Sequence, residues 1–335
     1  MFPISILDQS PVVEGATPRE AILATIALAR AADELGYARY WLAEHHSMQG
    51  LADAAPEILL ARLSAETRRI RLGTGGVMLP HYSAFKIAES FRMLEALAPG
   101  RIDLGVGRAP GGTQLVNAAL ESRDPSKFPA QIAEAIGYLE GTTSPSSPFA
   151  GLRAMPSGAT APELWVLGSS DYGARLAARM GLPYAYAHFI GGDEPNIPRI
   201  YRARFDATAR TGRARCIVTV AAIVASTDEE AEDLALPLRL WRTRIMSGQG
   251  GGPIPSLAEA RAHAWPAHER AATERGRRLV CGSPSTVRAA LEGIVDEHGA
   301  DEAMVVTIAP DYAARLRSYE LLAEAFALER TLVSA

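Results

Sequence analysis

Four short motifs carry most of the residues that could take part in chemistry, and each follows a run of β-forming residues. The first is Glu44-His45-His46. Imidazole changes its charge near neutral pH, so a histidine beside a carboxylate suits general acid or base catalysis. The second is Gly75-Gly76, where the lack of side chains lets the backbone approach a flat ligand closely.

The other two motifs point to a bound anion. Gly168-Ser169-Ser170 precedes an apolar helical pattern at 174–180, and the free N–H groups and dipole at a helix start attract negative charge. Arg108 follows another β-rich run, and a guanidinium can bind a phosphate through two charge-assisted hydrogen bonds. Together these motifs predict a site for a phosphate monoester.

The chain around these motifs alternates short β-rich runs with helical patterns, which is typical of βα units in a parallel sheet. The predicted strands span residues 4–7, 40–43, 70–73, 102–106, 164–167, 184–188, 216–224 and 303–308. Helix starts lie between them, as at Thr17-Pro18-Arg19-Glu20, which combines an N-cap, a proline and a capping-box glutamate. Eight strands without a dominant break favour a closed (β/α)₈ TIM barrel, whose C-terminal strand ends form the active site.

We expect residues 1–335 to form one barrel domain, since α/β barrels often reach this length as a single unit. Two stretches depart from the repeating pattern. Residues 141–162 form a Pro/Ser/Gly-rich connection before the fifth strand, and an insertion separates strands seven and eight. Within that insertion, the Gly/Pro-rich residues 247–256 are a candidate lid.

Composition excludes several classes of protein. The 34 basic and 38 acidic residues give a net charge of −4, and the arginines are spread along the chain, so nucleic acid is not an expected partner. No window approaches the roughly 18 apolar residues of a membrane span. Cys216 and Cys281 are the only cysteines, too few for a disulfide framework. We therefore expect a cytoplasmic protein with no membrane partner.

Competing motifs are incomplete. Pro110 stands where a dinucleotide-binding G-x-G-x-x-G fingerprint needs its last glycine, and no P-loop is present. The run after Gly168 lacks the closing glycine of a hydrolase nucleophile elbow. Adjacent side chains of a strand point to opposite sides, so the Glu44-His45-His46 motif cannot supply three ligands to one metal ion. A metal would need distant partners such as His81 or His188, and no metal is predicted.

With their flanking residues, these motifs resemble the bacterial luciferase-like flavin-dependent monooxygenases, in particular single-chain members similar to the luciferase alpha subunit. The similarity runs from the first strand to the terminal helix, with the motifs in the same order and spacing. The matching runs are Trp41-Leu42-Ala43-Glu44-His45-His46, Gly73-Thr74-Gly75-Gly76, Gly105-Val106-Gly107-Arg108 and Trp165-Val166-Leu167-Gly168-Ser169-Ser170.

The resemblance implies a barrel, usually a homodimer, that binds FMN weakly and receives it reduced from a separate flavin reductase. Reduced FMN would react with O₂ to give a flavin 4a-hydroperoxide, which oxygenates a small organic substrate such as an aldehyde or another carbonyl compound. Gly107 stands where luciferase has a cysteine, so light emission is not inferred.

Site residues follow from the same resemblance. His45 matches the catalytic histidine beside the flavin ring, with an expected pKa near 6.5, and Glu44 and His46 would orient it or line the pocket. Gly75-Gly76 matches a non-proline cis peptide under the ring. The FMN phosphate would meet Arg108 and the helix start, for which the matching residues are Gly168, Ser169, Ser170 and Gly173, the last replacing a hydroxyl residue of many relatives.

Four residues are candidates for the wall of the substrate pocket, called the substrate wall below: Trp41, His81, Tyr82 and Phe189.

Alternative functions stay open. Some barrels of this kind use a deazaflavin for hydride transfer instead of activating O₂, and others are non-catalytic flavin-binding accessory proteins. A sugar-phosphate isomerase or aldolase would use a similar phosphate site, but neither lysine of the chain lies at a predicted strand end.

Overall fold

The computed structural model describes residues 2–108, 112–191, 194–210, 212–270 and 279–330, and its centre is a closed barrel of eight parallel strands. In barrel order these strands are β1 (Ile4–Asp8), β2 (Arg39–Leu42), β3 (Arg71–Thr74), β5 (Ile102–Gly107), β6 (Glu163–Gly168), β7 (Tyr184–Tyr186), β8 (Cys216–Val224) and β10 (Glu302–Val306). Strand β10 pairs with both β8 and β1, which closes the barrel. The predicted (β/α)₈ barrel is therefore confirmed.

Helices surround the barrel. Those described are α1 (Pro18–Leu35), α2 (Pro56–Glu66), α3 (Ala84–Leu97), α4 (Gln114–Ala119), α5 (Phe128–Glu140), α6 (Asp171–Arg179), α7 (His188–Gly191), α8 (Asn196–Ala203), α9 (Asp228–Leu234), α10 (Leu236–Met246), α11 (Leu257–Ala262), α12 (Pro284–His298) and α13 (Tyr312–Ala325). Thr17 and Glu20 form the predicted capping box of α1, and Gly36 ends that helix in the left-handed conformation. None of the described helices is long and apolar enough to cross a membrane.

Two differences from the predicted strands occur near strand ends. The run predicted as 184–188 is shorter, because His188 already begins helix α7. Two extra strands, β4 (Val77–Met78) and β9 (Leu279–Gly282), pair with the C-terminal halves of β5 and β8. A strand of two residues is too short to show an alternating pattern, so β4 is not detectable in the sequence.

A network of charged side chains closes the N-terminal end of the barrel. Arg39 binds Asp103 at 2.7 Å and Glu302 at 3.1 Å, and Arg71 also binds Asp103. The Trp165 ring lies between two guanidinium groups, with its centroid 4.9 Å from that of Arg39 and 5.1 Å from that of Arg215. Arg215 in turn binds the carboxylate of Glu163. Since this end is filled, ligands have access from the C-terminal end.

The insertion after β8 packs against two loops at the C-terminal end of the barrel. Gly50 N–H donates to Gly251 O over 2.9 Å, and Ile254 N–H donates to Val12 O over 2.8 Å. The Trp241 indole N–H donates to Gly252 O over 2.7 Å. These bonds hold the second half of segment 247–256 in place, and its action as a lid stays a prediction. The connection at 141–162 contains neither helix nor strand.

Candidate active site

A cavity of about 210 Å³ opens at the C-terminal ends of the barrel strands. Nine of the predicted site residues line it: Trp41, Gly75, Gly76, Arg108, Gly168, Ser169, Ser170, Gly173 and Phe189. Its remaining walls are mostly apolar and come from Leu7, Met78, Gly107, Phe128, Leu167, Tyr172, Ala185, Ala187, Ile190, Thr219 and Met304. The cavity therefore joins an apolar barrel interior to a polar group of residues at its mouth.

Gly75 and Gly76 form one wall of this cavity, and the peptide bond between them is cis, as the resemblance implies. A Cβ atom on Gly75 would lie 2.5 Å from Leu7 Cδ1, and one on Gly76 would lie 2.8 Å from Gly105 O. Gly76 thus needs glycine because its backbone packs directly against the backbone of β5, whereas the atom nearest Gly75 is the end of a flexible Leu7 side chain, which can move aside. Both glycines also line the cavity, and the sequence-based reason for them, close approach of the backbone to a ligand, stays a prediction.

The polar mouth consists of Arg108 and the start of helix α6. Ser170 is the N-cap residue of α6, and its side chain accepts no hydrogen bond from the helix, so the first-turn N–H groups have no side-chain cap. The Arg108 guanidinium lies 4.0 Å from the centroid of the Tyr172 ring, which holds the positive charge beside this turn. Free helix N–H groups and an adjacent guanidinium are the donors that a phosphate monoester requires.

Glu44 is buried and connects three groups from neighbouring segments. Its carboxylate accepts hydrogen bonds from Tyr82 OH at 2.8 Å and Met78 N–H at 3.0 Å, and it lies 2.6 Å from His46 Nε2. It therefore fixes β4 and the turn after it. Glu44 and His46 are not among the described residues that line the cavity, and the hydrogen bonds of Glu44 go to His46, Met78 and Tyr82, not to His45.

His45 is partly buried and is not among the described residues that line the cavity. Its backbone N–H donates to Asp53 O over 3.0 Å, and its Nδ1 atom is buried with no hydrogen-bond partner in the described structure. Burial, followed by repulsion from His46, lowers the pKa of His45 to about 4. The expected pKa of 6.5 is therefore wrong for this structure, and at neutral pH His45 is an uncharged imidazole.

Residues 2–302 match the family model described as luciferase-like monooxygenase. The chain belongs to that family.

Individual relatives agree with this assignment. The chain is 38% identical over 322 residues to a luciferase-like monooxygenase of Escherichia coli strain K12, with 95% of each chain covered. It is 43% identical over 236 residues to an N-acetyl-S-alkylcysteine monooxygenase of Bacillus subtilis strain 168, covering 69% of this chain and 70% of the relative. The crystal structure of apo-MsnO8 is similar at 43% identity and a TM-score of 0.91, covering 98% and 99% of the two chains. This family member is thus an oxidoreductase of the monooxygenase type.

The predicted substrate wall of this luciferase-like monooxygenase is placed only in part. Trp41 and Phe189 border the cavity, with the Trp41 indole N–H directed away toward Asp103 at 2.9 Å. Tyr82 donates its hydroxyl to Glu44, and His81 Nδ1 bonds to Ser122 Oγ. His81 and Tyr82 are not among the described residues that line the cavity. Among the described residues, no three His, Cys, Asp or Glu side chains come together as a metal site requires.

Sequence reasoning missed Asp53, which is 4% exposed and lies beside His45. Its Oδ1 accepts a hydrogen bond from Ala55 N–H at 3.1 Å, while Oδ2 is buried with no partner in the described structure. Burial raises the pKa of Asp53 to about 7. The only sequence signal was an acidic residue in the loop after the Glu44-His45-His46 motif, and nothing in that loop indicates burial.

The raised pKa predicts that Asp53→Asn stabilises the protein at high pH. The folded state keeps the Asp53 proton up to about pH 7, whereas the unfolded chain releases it near pH 3.8. The free energy of unfolding of the wild type therefore falls as the pH rises through this window. In the asparagine variant this contribution does not depend on pH, because an amide does not titrate. We expect the variant to exceed the wild type by up to about 4 kcal/mol at pH 8 and by little at pH 4.

Urea denaturation at pH 4.5, 6 and 8 measures this difference. The titration of His45 is common to both proteins, so it largely cancels in the comparison. Asp296→Asn, at an exposed position of α12, makes the same chemical change outside the buried loop and is the matched control. A stability difference that is the same at all three pH values would contradict the raised pKa.

Proposed function

We propose that the protein is a flavin-dependent monooxygenase that uses reduced FMN and O₂ to oxygenate a small carbonyl compound. The observation that carries the proposal is the continuity of one cavity from the apolar barrel interior to the uncapped start of α6. A flavin mononucleotide has a similar division, with a flat aromatic ring system, apolar on its benzenoid half, at one end and a phosphate at the other.

The residues present fit this cofactor. Arg108 and the first-turn N–H groups of α6 would hold the phosphate, and the Gly75-Gly76 backbone would support the ring. When bound in its reduced form, FMN supplies the two electrons needed to activate O₂. Weak binding, with delivery from a separate flavin reductase, agrees with the exposure of Arg108 at the mouth.

The chain itself would exclude water and manage protons. Trp41, Phe189 and Met304 surround the interior of the cavity and keep it apolar, which protects a reactive intermediate from water. His45, neutral at pH 7, can accept a proton or donate its N–H, but it does not begin the cycle as an imidazolium acid. Glu44 would act by holding the β4 segment in position.

Exposed apolar side chains support the expected homodimer. Ile58 on α2 and both Met93 and Leu97 on α3 are between 54% and 71% exposed, and these two helices pack against each other. Met93 and Leu97 are four residues apart and so share one face of α3, and adjoining exposed apolar residues of this kind favour contact with a second copy of the chain. We also retain the cytoplasm as the proposed compartment, because Cys216 and Cys281 are free thiols.

Anaerobic titration with reduced FMN, followed by addition of O₂, tests the proposal. We expect saturable binding, then O₂ consumption with a transient absorption spectrum that differs from those of free reduced and oxidised FMN. A parallel titration uses a reduced deazaflavin, which should bind more weakly and support no O₂ consumption. Failure to bind reduced FMN, or O₂ consumption at the rate of free flavin, would contradict the proposal. Hydride transfer with the deazaflavin alone would favour the alternative cofactor.

A further inference from the structure

Thr219 places a polar group inside the barrel where its neighbours on the same strand are apolar. It occupies the middle of β8, and the residues two positions before and after it, Ile217 and Ala221, belong to the apolar interior cluster. Thr219 is 4% exposed and borders the cavity. Its hydroxyl makes no hydrogen bond to any other described residue, so its polar atom is available to whatever fills the cavity.

Other buried threonines of the molecule are satisfied within the protein. Thr74 Oγ1 donates to Gly105 O over 2.9 Å, and Thr307 Oγ1 donates to Ala222 O over 2.8 Å. Thr25 Oγ1 donates to Ser10 Oγ over 3.0 Å. Buried hydroxyl groups are usually satisfied within the protein, whereas that of Thr219 borders the cavity. The contrast indicates that the partner of Thr219 is a ligand.

Strand order places Thr219 away from the Gly75-Gly76 backbone, which we propose supports the flavin ring. The Gly75-Gly76 peptide follows β3, and the pairing order places β8 four strands away from β3 in both directions around the barrel. Thr219 therefore faces the glycine pair from the opposite side of the cavity. A flat ring lying against Gly75-Gly76 would leave the Thr219 side for the substrate.

The described residues that form the cavity wall around Thr219 are uncharged. Leu7 and Trp41 face it from β1 and β2, Met304 is its register partner on β10, and Ala185 lies on β7. Arg108 is the charged side chain among the described lining residues, and it lies at the mouth beside Tyr172. A carboxylate or ammonium group buried in the interior would have no counter-ion, which strongly disfavours its binding.

We propose that Thr219 is the hydrogen-bonding residue of the substrate subsite, and that this subsite takes an uncharged, mostly apolar ketone or aldehyde whose carbonyl oxygen accepts the Thr219 hydroxyl. This inference rests on the proposed function, since it assumes that the flavin ring occupies the Gly75-Gly76 side. The proposed substrate differs in charge from the one in the name of the related N-acetyl-S-alkylcysteine monooxygenase, because an N-acetylated amino acid carries a carboxylate.

Two variants and two probes test the proposal in the FMN-loaded protein. Thr219→Val removes the hydroxyl with almost no change of shape, and Thr219→Ser keeps it. Calorimetry measures the Kd of 2-octanone, an uncharged ketone, and of octanoate, its carboxylate analogue. We expect the wild type to bind the ketone at least about 10-fold more tightly than the acid, Thr219→Val to weaken ketone binding about 5- to 30-fold, and Thr219→Ser to stay within about threefold of the wild type.

The Kd of FMN, measured separately for all three proteins, distinguishes failure of this inference from failure of the proposed function. It should change by less than about twofold between the variants. A loss of FMN affinity in Thr219→Val would make the hydroxyl a flavin contact and overturn the inference. Unchanged ketone binding in Thr219→Val, octanoate binding as tight as that of the ketone, or no ketone binding by the FMN-loaded wild type would overturn it as well. If the wild type binds no FMN, the proposed function itself fails.

Discussion

Replacing His45 with alanine is expected to lower product formation by about 100-fold or more while changing the affinity for reduced FMN by less than about threefold. His45 is not among the described residues that line the cavity, so its loss should remove little contact area from the cofactor. It does remove the neutral imidazole that would move protons during oxygenation. Reduced flavin should then still react with O₂, and the oxygen should leave as hydrogen peroxide.

Product and peroxide are measured in the same reaction, with reduced FMN supplied chemically so that no reductase is needed. His268→Ala, at an exposed position of the chain, is the matched control and should keep the wild-type ratio of product to peroxide. Because the pKa of His45 is about 4, its titration should leave the wild-type rate unchanged between pH 6 and 8. Unaltered product yield in His45→Ala would remove this residue from the mechanism.

The barrel was predictable because its signals are local. Each strand of the closed barrel coincides with a β-rich run, and helices such as α1 begin and end at recognisable caps. The mouth of the site was predictable for a similar reason, since Arg108 and Ser170 follow strands directly and strand ends meet at one face of a barrel. A short motif and the alternating pattern together were sufficient to bring these residues to one cavity.

The chemistry within the site depends on contacts that no local pattern encodes. Thr219 and Met304 lie in the middle of strands, where a sequence shows their type but not the empty space in front of them. The pKa of His45 depends on its burial, and the loop that carries Asp53 returns to bond with its backbone. Glu44 is adjacent to His45 in sequence, yet it bonds to Tyr82 and Met78 because β4 lies beside it. Tertiary packing thus decides which polar neighbours become partners.

Replacing Arg108 with methionine is expected to weaken FMN binding about 10- to 100-fold and to leave riboflavin binding unchanged. Riboflavin has the same ring as FMN but no phosphate, so it separates the two halves of the proposed site. The Arg108 guanidinium lies beside the first turn of α6 through its contact with Tyr172. There it would form two charge-assisted hydrogen bonds to the phosphate, in addition to those from the helix N–H groups. Methionine keeps much of the apolar stem and removes the charge.

Anaerobic fluorescence titration with each reduced flavin gives one dissociation constant for each pair of protein and flavin. Arg179→Met, at the exposed far end of the same helix, removes the same charge away from the mouth and should leave both affinities within about twofold. Arg108→Lys should recover only part of the FMN affinity, because an ammonium group keeps the charge but cannot make two parallel hydrogen bonds. If Arg108→Met weakened FMN and riboflavin equally, Arg108 would act through the ring or the shape of the mouth, and the phosphate would have to lie elsewhere.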